Sequence, residues 1–361
     1  MDQIVQVDGS QGEGGGQILR TALALSIVTG RPVHLFNLRA GRRNPGLAPQ
    51  HLAGVQAAAQ ICGAEVKGAR IGSTEITFRP AGAAQAGRYT FDISQLAGQG
   101  SAGSVTLLLQ TLLLPLALAS GDSSLILRGG THVAWSPPTH YIEWVLLPTL
   151  AQAGIHASIR LTAWGWYPEG GGQVEVTIKG RARLQGLDLT QRKPLRSLKG
   201  LAVACNLPSH IPQRISARAN NVLRAAGLPP AVQPLRAGGA STGAGIFIGL
   251  DYENIYAGFS ALGARGKPSE AVADEAVTPL INYHQQNTAL DPHLPDQLLP
   301  ALALAEGPSV LSTVEITRHT LTNIAVIGHF LERNITVEGK EGGPGTIQVE
   351  ASSSGLTAGS A

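Results

Sequence analysis

One histidine of this chain stands where a catalytic nucleophile could form. His319 follows residues 312–317, which alternate like a β-strand, and precedes residues 323–331, whose apolar spacing predicts a helix with Thr320 or Thr322 as its N-cap. Such a turn lies near the positive end of a helix dipole, which disfavours the imidazolium and favours neutral imidazole. Neutral imidazole can attack an electrophile, so His319 is a candidate nucleophile. The competing interpretation is a turn histidine that only makes hydrogen bonds.

A glycine-rich turn near the N-terminus carries an acidic side chain beside a predicted helix start. The run Gly12-Glu-Gly-Gly-Gly16 precedes residues 18–28, which predict an apolar helix, and the free N–H groups of a helix N-terminus bind anions. The run is not a Walker loop, because no Gly-Lys-Ser/Thr follows it, and its spacing does not match a dinucleotide fingerprint. Glu13 either holds a divalent cation against phosphates or is an exposed acid that the helix dipole favours.

An arginine-rich loop predicts that phosphate binds close to this turn. Residues 39–51 contain Arg39, Arg42 and Arg43 and no acidic residue, and Arg20 lies one helical turn past the glycine run. Guanidinium groups bind phosphate through two parallel hydrogen bonds. We therefore expect the loop and the glycine-rich turn to form one phosphate-handling site.

Two further loops contain turn residues beside aromatic side chains. In residues 129–138, Trp135 and a pair of prolines either form an apolar wall for a base or only start the following helix. The second glycine run, Gly170-Gly-Gly172, is interpreted as a structural turn, because no helical pattern follows it.

Composition bounds the class of protein. The chain has 361 residues, of which 43% are hydrophobic and 4% aromatic, so we expect two domains, or one with an insertion, and a core of Ala, Leu, Val and Ile. Cys62 and Cys205 form no metal-binding pattern, which is typical of a reducing compartment. No secretory signal is visible, and the most apolar run, residues 105–119, is too short to span a bilayer. We therefore expect a cytoplasmic protein without membrane contact.

Positive charge is concentrated in one segment of a chain whose net charge is only +3. The segment contains no Asp or Glu, and its basic residues are Arg192, Lys193, Arg196, Lys199, Arg214, Arg218, Arg224 and Arg236. This pattern predicts a surface that faces a polyanion, with a solvated outer face as the alternative. The segment has no aromatic residue, so phosphate contact is expected there and base stacking is not.

A recurring local pattern predicts an internal repeat. A turn rich in glycine or small residues precedes each of the helices predicted at 18–28, 105–119 and 323–331, and a strand follows each helix. For the second helix that turn is Gly100-Ser-Ala-Gly-Ser104. We interpret these segments as copies of one α/β unit, with helices packed on sheets and with the three turns meeting at one end of the molecule.

The repeat predicts the domain organisation. The fold class is α/β, with a large domain of repeated units at residues 1–183 and 280–350 and a smaller inserted α/β domain at residues 184–279. The tail, residues 351–361, is rich in Ser, Gly and Ala and is expected to be disordered.

Taken together, these runs resemble the RNA 3′-terminal phosphate cyclase family over nearly the whole chain. The motifs are Asp8-Gly-Ser-Gln-Gly-Glu-Gly-Gly-Gly-Gln-Ile-Leu-Arg20, Arg39-Ala-Gly-Arg42 with Pro45-Gly-Leu47 and Gln50-His-Leu52, Gly100-Ser-Ala-Gly-Ser104 with Gln110-Thr111, Gly129-Gly-Thr131, Tyr167-Pro168 with Gly170-Gly-Gly172, and His319 with Leu321-Thr-Asn-Ile-Ala-Val326. The first and the last of these motifs are highly specific.

The resemblance implies an ATP-dependent ligase that processes RNA ends. In this family a histidine attacks the α-phosphate of ATP, which gives a histidinyl–AMP and pyrophosphate. AMP then passes to the RNA 3′-phosphate, and the neighbouring 2′-hydroxyl displaces it, which closes a 2′,3′-cyclic phosphate. The implied partners are ATP and RNA 3′-phosphate ends, and a homodimer is left open.

The resemblance also implies roles for individual residues. His319 would be the nucleophile, Glu13 would hold a divalent metal, Mg or Mn, and Arg318 would either anchor a phosphate or face solvent. The residues implied to bind the ATP phosphates, the RNA terminus or the nucleotide are Arg20, Arg39, Arg42, Gln50, Gln110, Pro137, His293 and Asp296. At His293 the chain departs from the family, in which an aromatic ring is expected to stack on adenine, although imidazole can also stack.

Three other functions stay open from the sequence. A non-catalytic cyclase-like RNA-processing protein would lack the histidine, so His319 argues against it. An enolpyruvyl-transferase-like enzyme would share a repeated α/β architecture but would need no covalent histidine. A pure RNA-binding module is supported only by the basic segment.

Overall fold

The computed structural model describes residues 4–96, 102–286 and 288–351. Most of the predicted tail, and Gly100 and Ser101 of the second turn, lie outside the described residues. The helices are α1 (Gly16–Thr29), α2 (Pro49–Cys62), α3 (Ile93–Leu96), α4 (Val105–Leu118), α5 (Thr139–Tyr141), a π-helical turn (Ile142–Leu146), α6 (Leu147–Gln152), α7 (His210–Ala225), α8 (Ser269–Gln285), α9 (Leu294–Leu302) and α10 (Arg318–Phe330). Among these, no helix has the length and apolarity needed to cross a membrane.

The strands of the described ranges form four sheets of four strands each. They are β1 (Val5–Asp8), β2 (Val33–Phe36), β3 (Glu65–Lys67), β4 (Ile76–Arg79), β5 (Arg88–Asp92), β6 (Ser123–Gly129), β7 (Ala157–Ala163), β8 (Gly172–Ile178), β9 (Asp188–Leu189), β10 (Ser197–Cys205), β11 (Val232–Ala237), β12 (Gly243–Asp251), β13 (Tyr256–Leu262), β14 (Ser309–Thr313), β15 (Ile335–Gly339) and β16 (Gly345–Val349). The mixture of helices and sheets confirms the predicted α/β fold class.

Three of the sheets have one topology, which confirms the predicted internal repeat. Their strand orders are β1-β2-β4-β3, β5-β6-β8-β7 and β9-β14-β16-β15. In each sheet the first two strands run parallel, and the other two neighbouring pairs run antiparallel. A parallel pair needs a crossover helix, whereas an antiparallel pair closes through a short turn, so one chain path recurs three times.

The helices that correspond to one another in the three units are not the ones that the sequence predicts. Helices α1, α4 and α9 connect the first strand of their unit to the second, whereas α2, the α5–α6 segment and α10 follow the second strand. The helix of His319 therefore corresponds to α2, and its alignment with α1 and α4 was wrong. Glycine-rich turns mark places of close backbone approach, and such places do not recur at the same point of every unit.

The fourth sheet belongs to the segment predicted as an insert. Its order is β11-β10-β12-β13, and α7 and α8 pack on each other beside it. Strand β9 pairs with β14 of the third repeated unit, and α8 continues to Gln285. The division at residues 184 and 279 stays a prediction. Strand β9 lies within these bounds but belongs to the sheet of the third repeated unit, and α8 crosses the second bound.

Helix α1 lies at the centre of the repeated units. It packs against α2, α4 and α10, and most of its side chains are buried. Leu-rich α4 is buried on nearly every side, in agreement with the predicted aliphatic core, and each fully buried Leu or Ile stabilises the fold by about 1.5–3 kcal/mol. Because α1 contacts three helices at once, its N-terminal residues face several units of the repeat.

Candidate active site

His319 is the second residue of α10, close to the helix N-terminus. Thr317 is the N-cap, and its hydroxyl oxygen accepts a hydrogen bond from the Thr320 N–H at 3.1 Å. The predicted caps, Thr320 and Thr322, were wrong because the helix begins one turn earlier, and the threonines of this run are equally good caps by type. Arg318, the first helical residue, forms an ion pair with Glu341 at 2.9 Å.

A buried glutamine orients the ring of His319. Gln17 Oε1 accepts a hydrogen bond from His319 Nδ1, and Gln17 Nε2 donates one to Asp296 Oδ2 at 2.7 Å. Because the amide nitrogen faces the carboxylate, the amide oxygen must face the imidazole, which puts the ring proton on Nδ1. Nε2 of the neutral ring then carries the free lone pair.

The surroundings of His319 keep its ring neutral. Partial burial lowers its pKa, and the positive charges of Arg20 and Arg42 act in the same direction. The carboxylate of Glu13 opposes them with a smaller effect than the burial. A pKa below the ordinary value leaves the lone pair of Nε2 available at neutral pH.

Asp296 takes part in a hydrogen-bond network that joins three helices next to His319. Its backbone carbonyl accepts a hydrogen bond from Asn323 Nδ2 at 2.6 Å, and Asn323 Oδ1 accepts one from Thr21 Oγ1 at 2.7 Å. Burial raises the pKa of Asp296 to about 7, against lowering contributions from Arg20 and the Gln17 hydrogen bond. Helices α1, α9 and α10 therefore meet around a carboxyl group that titrates near neutrality.

Glu13 lies against α10, within reach of an arginine of the loop. Its carboxylate forms an ion pair with Arg42 Nη2 at 2.6 Å, and its side chain is only 10% exposed. The Glu13 N–H donates to Thr322 Oγ1 at 3.0 Å. Gly12 makes this approach possible: its φ is 57°, and a Cβ there would stand 2.1 Å from the Thr322 hydroxyl oxygen.

The donor set around Glu13 fits a divalent metal only together with phosphates. Among the described residues, no group of three or more His, Cys, Asp or Glu side chains could hold a metal ion. Mg²⁺ is commonly bound through one or two carboxylates and substrate phosphates, and it keeps several waters. A single carboxylate beside arginines that could bind phosphate matches that mode, so Glu13 fits a metal carried by a nucleotide.

Arg20 joins two cavities of the site. The first is lined by Gln17, Arg20, Gln110 and Asp296 among others, and the second by Arg20, Gln50, His51 and Ser104 among others. Burial lowers the pKa of Arg20 to about 10, so its guanidinium stays charged at neutral pH. A desolvated cation between two cavities can bind an anion from either side.

His51 belongs to this site and was not among the predicted binding residues. Its Nδ1 accepts a hydrogen bond from the Ala48 N–H at 3.2 Å, which leaves the proton of the neutral ring on Nε2. Burial lowers its pKa to about 3, and the charges of the nearby arginines add to the effect. Nε2 faces Gly16, where a Cβ would approach it to 2.4 Å, so His51 is a neutral hydrogen-bond donor beside Arg20.

Gln110 and Gln50 line these cavities, and His293 is linked to the first of them through Gln297. Gln110 Nε2 donates to Gln297 Oε1 at 2.6 Å, and Gln297 Nε2 donates to the His293 carbonyl at 2.6 Å. The His293 ring is exposed at the start of α9. Gln50 Oε1 accepts a long hydrogen bond, 3.5 Å, from the Ser104 N–H.

Two predicted residues are held by contacts of their own loops. Arg39 has a left-handed φ of 52°, and its Nη1 donates to the Gly46 carbonyl at 2.7 Å. Partial burial lowers the pKa of Arg39, and the charge of Arg42 adds to the effect. The Pro137 carbonyl accepts from Thr106 Oγ1 at 2.6 Å, which ties its loop to the first turn of α4.

The basic segment does not form a surface of a single charge sign. Acidic residues that lie outside it in sequence pair with four of its eight basic residues. These ion pairs are Lys193–Glu253, Arg196–Asp251, Arg214–Glu270 and Arg218–Asp274. Exposed pairs contribute only about 0–1 kcal/mol each, so phosphates could still compete for these arginines, and RNA binding at the segment stays a prediction.

The chain matches the family model described as RNA 3'-terminal phosphate cyclase over residues 11–337. It is 53% identical to the RNA 3'-terminal phosphate cyclase of Gloeothece citriformis over 91% of this chain and 93% of that protein. It is 46% identical to the protein of that name from Methylococcus capsulatus, over 98% of both chains. The Archaeoglobus fulgidus protein of that name is 43% identical over 94% of this chain and 99% of its own.

Among solved structures, the chain has a distant likeness to the enolpyruvyl transferase NikO from Streptomyces tendae. The two are 12% identical with a TM-score of 0.41, and the match covers 98% of this chain and about half (49%) of the other. A likeness at this level supports no conclusion about activity.

Proposed function

The chain belongs to the RNA 3'-terminal phosphate cyclase family, and on that premise we propose that it closes RNA 3′-phosphate ends through a covalent AMP on Nε2 of His319. Members of this family are ATP-dependent enzymes of the ligase class, so ATP and RNA ends are the substrates. The observation that carries the covalent step is the hydrogen bond from His319 Nδ1 to Gln17 Oε1, because it leaves Nε2 as the nucleophilic atom.

In the first step His319 Nε2 attacks the α-phosphorus of ATP. A nitrogen–phosphorus bond forms, the bond to the bridging oxygen breaks, and pyrophosphate leaves. The ring keeps its Nδ1 proton, because an amide oxygen such as that of Gln17 does not remove it, so the adduct is cationic. A cationic imidazole is a good leaving group, which prepares AMP for transfer.

In the second step an oxygen of the RNA 3′-phosphate attacks the phosphorus of the bound AMP and releases neutral His319. The 2′-hydroxyl then attacks the 3′-phosphorus, releases its proton to solvent, and expels AMP as the cyclic phosphate closes. Both steps bring anionic groups together, so positioning and charge neutralisation supply most of the catalysis. Arg20, Arg39 and Arg42 supply cations, and His51 supplies a neutral donor.

Glu13 is the residue that would hold a divalent metal together with the phosphates of ATP. Such an ion would neutralise charge on those phosphates as pyrophosphate leaves. The carboxylate is already in contact with Arg42, so we expect metal binding to rearrange that ion pair.

The test is covalent labelling with ATP that carries a radioactive α-phosphate. We expect wild-type protein to take up a label that acid removes and alkali does not, and His319→Ala to take up none. His329→Ala, on the same helix and exposed, is the matched control and should label like wild type. Label on His319→Ala at the wild-type level would show that another residue is the nucleophile.

A further inference from the structure

Two aromatic side chains stand out from the surface of a chain that has few aromatic residues. Trp135 is 99% exposed and Tyr167 is 75% exposed, whereas Ile71 and Leu235, the other large hydrophobic residues exposed in the described ranges, reach 54% and 38%. Tryptophan is usually largely buried, so a side chain with almost no protein contact is uncommon. Neither residue takes part in the site described above.

The loops of these two residues are joined to each other. The N–H groups of Thr131 and His132 both donate to the Gly165 carbonyl, at 2.9 and 3.0 Å, and the Gly165 N–H donates back to Thr131 Oγ1 at 2.9 Å. These bonds join the two segments that follow β6 and β7, from which the loops at residues 131–138 and 164–171 extend. Both aromatic side chains are therefore presented by loops with a common, fixed base.

Packed rings and a rare backbone conformation fix this base. Trp164 and Trp166 stack with ring centroids 5.8 Å apart and planes inclined by 5°, and the buried His132 packs against both. Trp135 has a φ of 62°, a left-handed conformation that costs a non-glycine residue on the order of 1 kcal/mol or more. Residues held in such conformations are concentrated at ligand sites, so the exposed ring of Trp135 is a candidate for ligand contact.

A chain of hydrogen bonds links the Trp135 loop to the phosphate-binding cavities. The carbonyl of Pro137, two residues after Trp135, accepts from Thr106 Oγ1 at 2.6 Å, and the hydroxyl groups of Thr106 and Ser104 bond at 2.8 Å. The Ser104 N–H reaches Gln50 Oε1, and both residues line the cavity that contains Arg20. The Trp135 loop thus borders the site, and the Tyr167 loop shares its base.

We propose that Trp135 and Tyr167 form a stacking surface for the bases of single-stranded RNA that precede the 3′-phosphate. The proposal rests on the proposed function, since that phosphate must reach the site of His319. Every base has a π-face, so exposed aromatic rings bind single strands with little dependence on sequence.

The test uses RNA oligonucleotides that end in a 3′-phosphate. Stacking contributes about 1–3 kcal/mol per base, so Trp135→Ala should weaken binding of a decanucleotide by about tenfold or more and raise its KM. Binding of a dinucleotide should change less, since it offers fewer bases to stack. Trp135→Phe should restore most of the affinity, and Ile71→Ala, another exposed hydrophobic residue that lies outside the basic segment, should leave it unchanged.

Fluorescence separates this proposal from its alternatives. RNA should quench the emission of Trp135, and the quenching should disappear in Trp135→Phe. Quenching by ATP alone would assign the ring to the nucleotide and overturn the proposal, as would equal affinity of wild type and Trp135→Ala for the decanucleotide. Failure of the proposed function would appear separately, as wild-type protein that takes up no label from ATP.

Discussion

At the scale of single residues, Gln17 has the largest effect on what His319 can do. An imidazole without a partner is free to carry its proton on Nε2, which removes the nucleophilic lone pair from the reactive position. Gln17→Ala should therefore slow covalent labelling by about tenfold to hundredfold, the usual effect of losing a group that orients a functional histidine. Single-turnover labelling measures this rate.

The control for this prediction is Gln213→Ala on the exposed face of α7, which should label at the wild-type rate. Gln17→Ala also leaves the Asp296 carboxylate without its amide donor, so the pH dependence of labelling should change. An unchanged rate and an unchanged pH profile would show that the ring is oriented by something else.

Ionisation of the Asp296 carboxyl group should lower the free energy of unfolding. Its pKa is raised from 3.8 to about 7 by burial, so between these values the folded protein binds a proton that the unfolded chain has lost. Stability therefore falls as pH rises through this window. Asp296→Asn keeps an acceptor for Gln17 but cannot ionise, and its free energy of unfolding at about pH 8 should exceed that of wild type by on the order of 1–4 kcal/mol.

Urea unfolding at several pH values checks this prediction, and the advantage of Asp296→Asn should shrink toward about pH 4. Asp122 is the matched control, because its pKa is lowered in the folded protein whereas that of Asp296 is raised. Hydrogen bonds from Lys179 and the Gly180 N–H lower the pKa of that exposed carboxyl group, so Asp122→Asn should lose a little stability above about pH 4. An Asp296 variant less stable than wild type at every pH would contradict the argument.

The sequence predicts residue types at this site better than it predicts their partners. His319, Glu13 and Arg20 follow from chemistry and motif, but Gln17 and His319 are 302 positions apart, and their hydrogen bond exists only in the fold. Gln17 and Asn323 lie inside the two most specific motifs, which is the signal that could have singled them out. Propensity does not reveal which motif residue faces which neighbour.

At the scale of elements, the first turn of α10 holds the nucleophile in place. Thr317→Ala removes the N-cap and should lower the free energy of unfolding by about 1 kcal/mol. Because His319 is the second helical residue, fraying of this turn should also slow covalent labelling. Thr317→Ser keeps a capping hydroxyl and should restore both quantities, measured by urea unfolding and labelling; equal losses in both variants would contradict a capping role.

The repeat shows where prediction of elements fails. Hydrophobic periodicity predicts helices such as α4 and α7 to within a few residues, because one apolar stripe must face the core. It does not state which strands a helix connects, since that depends on long-range strand pairing. The second residue of α10 is His319, and the second residues of the corresponding helices α2 and α5 are Gln50 and His140, so one position carries different chemistry in each unit.

At the scale of the whole molecule, a buried carboxylate connects three parts of the chain. Asp291 is fully buried and accepts hydrogen bonds from the Tyr141 hydroxyl at 2.9 and 3.1 Å, from the Gly258 N–H at 3.1 Å and from the His293 N–H at 2.9 Å. Tyr141 belongs to the second repeated unit, Gly258 to the fourth sheet, and His293 to the start of α9. The predicted insert is therefore held by hydrogen bonds to the loop that carries His293, which we expect to lie beside the nucleotide.

Removing one hydrogen-bond donor from Asp291 should lower the stability of the fold and weaken the binding of ATP. Tyr141→Phe leaves a buried carboxyl group short of a partner, which costs about 1–3 kcal/mol of unfolding free energy. We also expect the KM for ATP to rise, because Asp291 fixes the backbone of His293, the residue expected beside adenine. Tyr89→Phe loses a hydrogen bond to the Gln85 carbonyl at the surface and should change stability by less than about 0.5 kcal/mol. If the two variants are equally stable and bind ATP equally well, Asp291 does not connect the insert to the site, and the two regions respond to substrate independently.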